Sequence, residues 1–135
     1  MKLIYRYTIQ MNPVTKKNHQ NIYKNKKTGV SFVAPSTQYK KYEAEAVKYL
    51  HPRPPNPIDR PVEVKCLFYM QTRRLCDLNN LLEAATDLLV YGGVLKDDNY
   101  HIVYSHDGSR VLYDKQNPRT EIIISEDIDQ GEKEQ

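Results

Sequence analysis

Residues 73–99 contain the side chains with the clearest capacity for chemistry. Asp77 stands between a predicted strand and a predicted helix, and Asp97-Asp98 follow about twenty residues later in a loop. Carboxylate oxygens are hard ligands that suit Mg²⁺ or Mn²⁺, which keep several waters and take few protein carboxylates. An ion bound in this way polarises a phosphodiester and generates hydroxide for in-line attack. The pattern therefore indicates a metal-dependent nuclease.

The same residue types also have ordinary structural roles, which the spacing leaves open. Asp77 is a favourable N-cap residue, and Asp97-Asp98-Asn99 are typical turn residues. Polar side chains that recur at i, i+3 and i+7 are expected on the solvated face of the helix: these are Asn80, Glu83 and Asp87. Because a helix separates the two acidic positions, they converge only if the loop returns along it or if a second chain supplies one of them.

Two predicted elements hold these residues. Residues 62–72 alternate apolar and polar side chains, which predicts a strand with Cys66 among its inward-facing residues. Residues 78–91 carry apolar side chains at helical spacing, and Gly92-Gly93 ends the helix. The apolar stripe consists of Leu78, Leu81, Leu82, Ala85, Leu88 and Leu89.

The rest of the chain predicts one small domain. A first strand is expected at residues 2–10, followed by a hairpin around the turn KNKKTG and a helix from an N-cap at Ser36 to about Leu50. Residues 51–61 contain five prolines and are expected to form a stiff linker. Further strands are expected at 101–106, 110–113 and 120–125. This order predicts an α/β (α+β) fold, a mixed β-sheet flanked by two helices, over residues 1–125. Residues 126–135 are expected to form an acidic flexible tail.

The charge of the chain is strongly polarised. Residues 1–74 contain 15 Lys and Arg against 4 Asp and Glu, whereas residues 75–135 contain 5 against 13. The formal charges of the two parts, +11 and −8, suggest a basic surface for a polyanion beside acidic groups with another role. Solubilising surface charge is the simpler alternative.

Composition excludes several classes of protein. No stretch of about eighteen apolar residues predicts a membrane-spanning helix, so no membrane association is expected. Arg6 interrupts the N-terminal region where a signal peptide needs apolar residues. The two cysteines, Cys66 and Cys76, lack paired metal-ligand spacing and are expected to be reduced thiols in a cytoplasmic protein.

The order and spacing of several short motifs resemble a known family. The basic pair Arg73-Arg74 precedes Asp77-Leu78-x-Asn80-Leu81, and Ala84-Ala85, Asp87 and Gly93-Val94-Leu95 lead to Asp97-Asp98. The segment NPVTKKN at residues 12–18 resembles that family's opening after its first strand. In these features the chain resembles the RusA family of Holliday junction resolvases over roughly residues 3–125.

The resemblance implies a homodimeric, Mg²⁺-dependent endonuclease that nicks symmetrically across four-way DNA during recombination and repair, commonly of phage or prophage origin. The family's catalytic carboxylates correspond to Asp77, Asn79 and Asp98. We expect Asp77 and Asp98 to be the principal metal ligands, with Asp97, Asn79 and Glu83 in metal-binding or outer-shell roles. The residues expected to contact DNA are Lys16, Lys17, Asn18, Arg73 and Arg74, and those expected to hold the backbone near the site are Asn80 and Asp87.

Two positions depart from the family's pattern. Asn79 stands where the family's best-known members carry aspartate, and Glu83 stands where those members carry a lysine implicated in the reaction. Asn79 keeps a carbonyl oxygen for Mg²⁺ but loses a charge, while Glu83 adds a charge one turn further along the helix. We favour a relocated carboxylate that restores the charge of the site. The alternative is a catalytically impaired protein that binds branched DNA without cleaving it, and a third possibility is a basic protein-binding adaptor.

Overall fold

The computed structural model describes residues 1–16, 20–24, 26–35 and 37–127, and for residues 20–24 and 32–35 it describes the backbone. Within these residues the elements are β1 (Lys2–Ile9), β2 (Gln20–Lys24), β3 (Ser31–Pro35), α1 (Thr37–Ala46), a 3₁₀ turn (Val47–Tyr49), β4 (Val62–Met70), α2 (Leu78–Tyr91), β5 (Val103–Ser105), β6 (Arg110–Tyr113) and β7 (Arg119–Glu126). Three predicted residues, Lys17, Asn18 and the N-cap Ser36, lie outside the described residues, as does the tail beyond residue 127.

Five of the described strands form one mixed sheet. β1 and β4 both pair antiparallel with β7, and β5 and β6 both run parallel to β4. β5 pairs with the first residues of β4, at Val62, while β6 pairs with the last four, Leu67–Met70. β2 and β3 form a separate antiparallel hairpin. The predicted class, a small single domain with a mixed sheet and two helices, is confirmed.

The core lies between α2 and one face of the sheet. Alternate residues of β4 are fully buried, including Cys66, because successive side chains of a strand point to opposite faces. The predicted apolar stripe of α2 is buried except for Leu78, which is half-buried. Ile122 and Ile124 of β7 complete this layer. The prediction of α2 from local signals agrees with the structure at both ends of the helix.

The first helix ends earlier than its sequence pattern indicates. The α-helix stops at Ala46, and the last predicted turn is a 3₁₀ turn. Arg53, from the segment that follows, donates from Nε to the carbonyl oxygen of Leu50 and from Nη2 to that of Val47, at 2.9 and 2.8 Å. The bond to Leu50 satisfies a carbonyl group of the kind that a helix end leaves without a partner, and the bond to Val47 adds to the one that its carbonyl oxygen accepts from the Leu50 N–H at 3.2 Å.

The proline-rich segment 51–61 is more than a linker. Ile58 is buried and forms a parallel bridge with Leu95, donating its N–H to the Val94 carbonyl oxygen at 2.9 Å and accepting from the Lys96 N–H at 3.0 Å. Val94 and Leu95 both donate their N–H groups to the Leu89 carbonyl oxygen. The start of the loop that carries Asp97 and Asp98 is therefore fixed by backbone hydrogen bonds to Ile58 and to Leu89 of α2.

The connection from β4 through α2 to β5 decides where the two ends of α2 lie. β5 is parallel to β4, so α2 must run back along the sheet between them. Asp77, before α2, lies beyond the end of β4. The loop after α2 leads to Ile102, whose carbonyl oxygen accepts from Val62 N–H at the start of β4. The two acidic positions therefore lie at opposite ends of one helix.

Candidate active site

Asp77 is the N-cap residue of α2. Its backbone is extended (φ −99°, ψ 119°), and its Oδ1 accepts a hydrogen bond from the Asn79 N–H at 2.9 Å. Its carbonyl oxygen accepts from Asn80 and Leu81 N–H groups at 3.1 and 3.2 Å. These bonds fix the orientation of an exposed carboxylate at the positive end of the helix dipole. The capping role that the sequence left open is confirmed.

Asp97 and Asp98 form a compact acidic turn. Asp97 Oδ1 accepts from the Asp98 N–H at 2.7 Å, and Asp97 Oδ2 accepts from Asn99 Nδ2 at 3.3 Å. The hydrogen bond from the Asp98 backbone lowers the pKa of Asp97. The pKa of Asp98 is raised, first by desolvation, then by its hydrogen bond with Asp97 and by the negative charges of Asp97 and Asp87. A divalent cation would relieve this repulsion, so the donor set fits a hard metal ion.

Lys16 contacts the same end of α2. Its Nζ lies 2.9 Å from Asp87 Oδ2, and both side chains are half-buried. The ammonium also lies 5.8 Å from the centre of the Tyr39 ring. Asp87, which the sequence pattern placed on the solvated face of α2, therefore lies in a half-buried ion pair. Lys16, which was expected to contact a DNA phosphate, is bound by the Asp87 carboxylate.

The structure does not bring Asp77 and Asp98 together within one chain. Asp77 and Asp87 are ten residues apart on α2, or about 15 Å along the helix axis at about 1.5 Å per residue. The charge of Asp87 acts on Asp98, which places Asp98 near the last turns of that helix. Among the residues that the structure describes, no three His, Cys, Asp or Glu side chains gather in a way that could hold a metal ion.

The other candidate residues of α2 lie along its surface. Asn79 and Glu83 are exposed, and Asn80 is half-buried. Asn79 contributes its N–H to the cap of the helix. Glu83 is six residues beyond Asp77, or about 9 Å along the axis, and therefore lies between the two acidic ends. The proposed role of Glu83 as a relocated carboxylate stays a prediction.

The end of the sheet next to Asp77 is basic and exposed. Arg73 and Arg74 are both exposed, and the Arg73 guanidinium carbon lies 4.1 Å from the centre of the Tyr113 ring. Leu75 is fully exposed between this basic pair and Asp77, with a relative accessibility of 101%. Sequence reasoning did not single out Leu75 or Tyr113. The one sequence feature that could have drawn attention to Leu75 is that it is a leucine in a mostly polar segment between a strand and a helix.

Comparison with known proteins identifies the family. Residues 10–125 match the model of the family described as Endodeoxyribonuclease RusA. Because this match covers most of the chain, the protein belongs to the RusA family, which implies a Holliday junction resolving endonuclease. No curated protein matches the chain. In the described parts of the chain, no helix has the length and apolar character needed to cross a membrane.

Proposed function

We propose that this protein is a homodimeric, Mg²⁺-dependent endonuclease, with Mn²⁺ as an alternative ion, that cleaves four-way DNA in the cytoplasm during recombination and repair. The observation that carries the proposal is the placement of Asp77 and Asp98 at opposite ends of α2 in a RusA-family chain. A two-fold axis that packs two α2 helices antiparallel brings Asp77 of each copy towards Asp98 of the other. Such a dimer has two equivalent acidic sites.

Each residue then has a defined task at the shared site. Asp77, fixed by its capping bond, and Asp98, whose pKa is raised by desolvation and by the neighbouring charges of Asp97 and Asp87, would hold the ion, with Asp97 orienting the loop. When bound, the ion supplies a Lewis acid and a hydroxide for in-line attack on a phosphodiester. Asn79 and Glu83 would add oxygen donors from the surface of α2. Two sites related by two-fold symmetry match two symmetric strands of a junction.

The basic residues would hold the DNA backbone beside these sites. Arg73 and Arg74 are exposed at the Asp77 end of α2, and Lys17 and Asn18 belong to the basic segment after β1. Lys16 belongs to the same segment and would contact phosphate by leaving its ion pair with Asp87. Contacts of this kind position DNA without reading its sequence. Binding should weaken steeply with salt, because neutralised phosphates release their counterions.

A heterodimer experiment tests the shared site. Chains carrying Asp77→Asn and chains carrying Asp98→Asn are co-expressed with different tags, and the mixed dimer is purified on both tags. If sites are shared, one site of the mixed dimer has both substitutions and the other has neither. We expect nicks in one strand of a synthetic junction, without paired resolution, while each variant homodimer is inactive.

A mixed dimer without nicking activity, alongside an active wild-type dimer, would place both acids in one chain's site and overturn the shared arrangement. Wild-type protein that does not bind junctions would overturn the proposed function itself.

The second candidate is a RusA-fold protein that binds branched DNA without cleaving it. The observation that favours it is the pair of departures at Asn79 and Glu83, both exposed on α2, since Glu83 brings a negative charge where phosphates are expected. Tight junction binding by the wild-type dimer with no nick in either Mg²⁺ or Mn²⁺ would support this candidate. Cleavage that Asp98→Asn abolishes would exclude it.

A further inference from the structure

Arg73 and Tyr113 form an exposed stacked pair beside the Asp77 end of α2. The guanidinium carbon lies 4.1 Å from the ring centre, Tyr113 is 42% exposed, and Arg73 is exposed as well. A phosphate contact by Arg73 would need no aromatic partner. The pairing therefore points to a ligand with a flat face rather than to the DNA backbone alone.

The structure holds the backbone of Tyr113 in place from both directions along the chain. Tyr113 is the last residue of β6 and pairs with Met70, and the next N–H, of Asp114, donates to the Met70 carbonyl oxygen at 2.9 Å. Asp114 Oδ1 accepts from Asn117 N–H at 3.1 Å, and its Oδ2 accepts from Arg119 Nη1 at 3.0 Å. A ring carried on such a fixed backbone loses less conformational freedom when it binds a ligand than a ring on a flexible loop does.

The position of the pair relates it to the proposed site. Paired residues of β4 and β6 point to the same face of the sheet, so Tyr113 lies with Met70 on the face that α2 covers. From Met70 the chain runs through Arg73 directly to Asp77. Asp114, the nearest acid in sequence, is paired with Arg119, and the charge that contacts the Tyr113 ring is that of Arg73.

The chemistry of this pair fits an unpaired nucleobase. Aromatic rings and guanidinium planes both stack on bases, but paired bases inside a duplex have no face to offer. The centre of a four-way junction is where base pairs can open. We infer that Arg73 and Tyr113 form a stacking platform for a base unpaired at the junction centre. This inference rests on the proposed function, and it adds a contact that selects opened junctions over duplex.

Binding measurements with matched variants test the platform. Dissociation constants are measured by fluorescence anisotropy, without divalent metal, for a junction with unpaired bases at its centre and for a linear duplex of the same length. The variants are Tyr113→Ala, Tyr113→Phe and the control Tyr49→Ala, which removes a tyrosine of similar exposure (38%) from the 3₁₀ turn.

We expect Tyr113→Ala to weaken binding of the open junction by about 5- to 150-fold, the effect of losing one stacked base. Its affinity for duplex should stay within about twofold of wild type, and Tyr113→Phe and Tyr49→Ala should bind both DNAs like wild type. Salt dependence provides a second readout. Tyr113→Ala should keep the wild-type slope, whereas Arg73→Gln should lower it by about one, because Arg73, unlike Tyr113, carries a positive charge that displaces counterions from the DNA.

The outcomes separate this inference from the proposed function. Equal losses for junction and duplex, or no loss with Tyr113→Ala, would overturn the platform and leave the nuclease proposal standing. A wild-type protein with no preference for junctions over duplex would instead overturn the proposed function.

Discussion

Asp77 caps α2 and is proposed to bind the metal ion, and substitution should distinguish the two roles. As N-cap it accepts one hydrogen bond, 2.9 Å long, from the Asn79 N–H, and as a proposed metal ligand it contributes a charge. Asp77→Ala removes both. Loss of an N-cap side chain lowers the free energy of unfolding by about 1 kcal/mol, within a range of about 0.5–2 kcal/mol. For a domain of this size, that loss corresponds to a fall in Tm of roughly 3–5 °C.

Asp77→Asn is the matched control. Asparagine caps helices as well as aspartate does, so only the interaction of the charge with the helix dipole is lost, about 0.3–1 kcal/mol and smaller in high salt. Cleavage should be abolished in both variants, because an amide oxygen is a much weaker metal ligand than a carboxylate.

The assay combines urea unfolding followed by far-UV circular dichroism, at one protein concentration, with cleavage of a synthetic junction. The expected order of stability is wild type, then Asp77→Asn, then Asp77→Ala. An Asp77→Ala variant as stable as Asp77→Asn would show that the cap contributes nothing. Full cleavage activity in Asp77→Asn would remove Asp77 from the metal site.

Three further predictions concern stability. Asp98→Asn should match or exceed the wild-type free energy of unfolding at pH 7, because desolvation and the nearby charges of Asp97 and Asp87 raise the pKa of Asp98 and ionisation above that pKa destabilises the fold. The difference should vanish below about pH 3.8, where both side chains are neutral, and a variant less stable than wild type at pH 7 would contradict this account of the raised pKa. Gly92→Ala should lower the free energy of unfolding by about 1–3 kcal/mol, because the new Cβ would lie 2.7 Å from Leu50 Cδ1. Adding Leu50→Val should relieve part of this loss. Gly93→Ala should also destabilise the protein, but because of its backbone φ of +78°, so Leu50→Val should not relieve that loss. Burial raises the pKa of Cys66 from 9.0 to about 12, so stability should fall as pH rises from about 9 to 12, and Cys66→Ala should reduce that slope by up to about 1.4 kcal/mol per pH unit in urea titrations.

Local signals were sufficient for the elements that carry the candidate site. α2 runs from Leu78 to Tyr91 as predicted, because a capping aspartate, an apolar stripe and a glycine stop all lie within the segment itself. The alternating pattern predicted β4 in the same way, although the strand ends at Met70 rather than at Thr72. Hydrophobic periodicity indicates which face of an element is buried, and α2 and β4 each bury one face and leave the other more exposed.

Other features depended on partners distant in sequence. Ile58, a single apolar residue among prolines, carries no periodicity, yet its bridge to Leu95 makes the proline-rich segment part of the core. The ion pair between Lys16 and Asp87 joins residues 71 positions apart, and the stacking of Arg73 on Tyr113 depends on β6 lying beside β4. No local pattern encodes such contacts, because they exist only after the sheet has assembled.

The amino-acid sequence by itself determined the identity of the acidic groups and the helix that separates them, since residue type, capping and periodicity are local properties of the chain. Only the tertiary structure decided how those groups are placed. The parallel return from β4 to β5 requires α2 to span the sheet, and this puts Asp77 and Asp98 at its opposite ends. A helix of fourteen residues is about 20 Å long, which is too far for one metal ion to bridge.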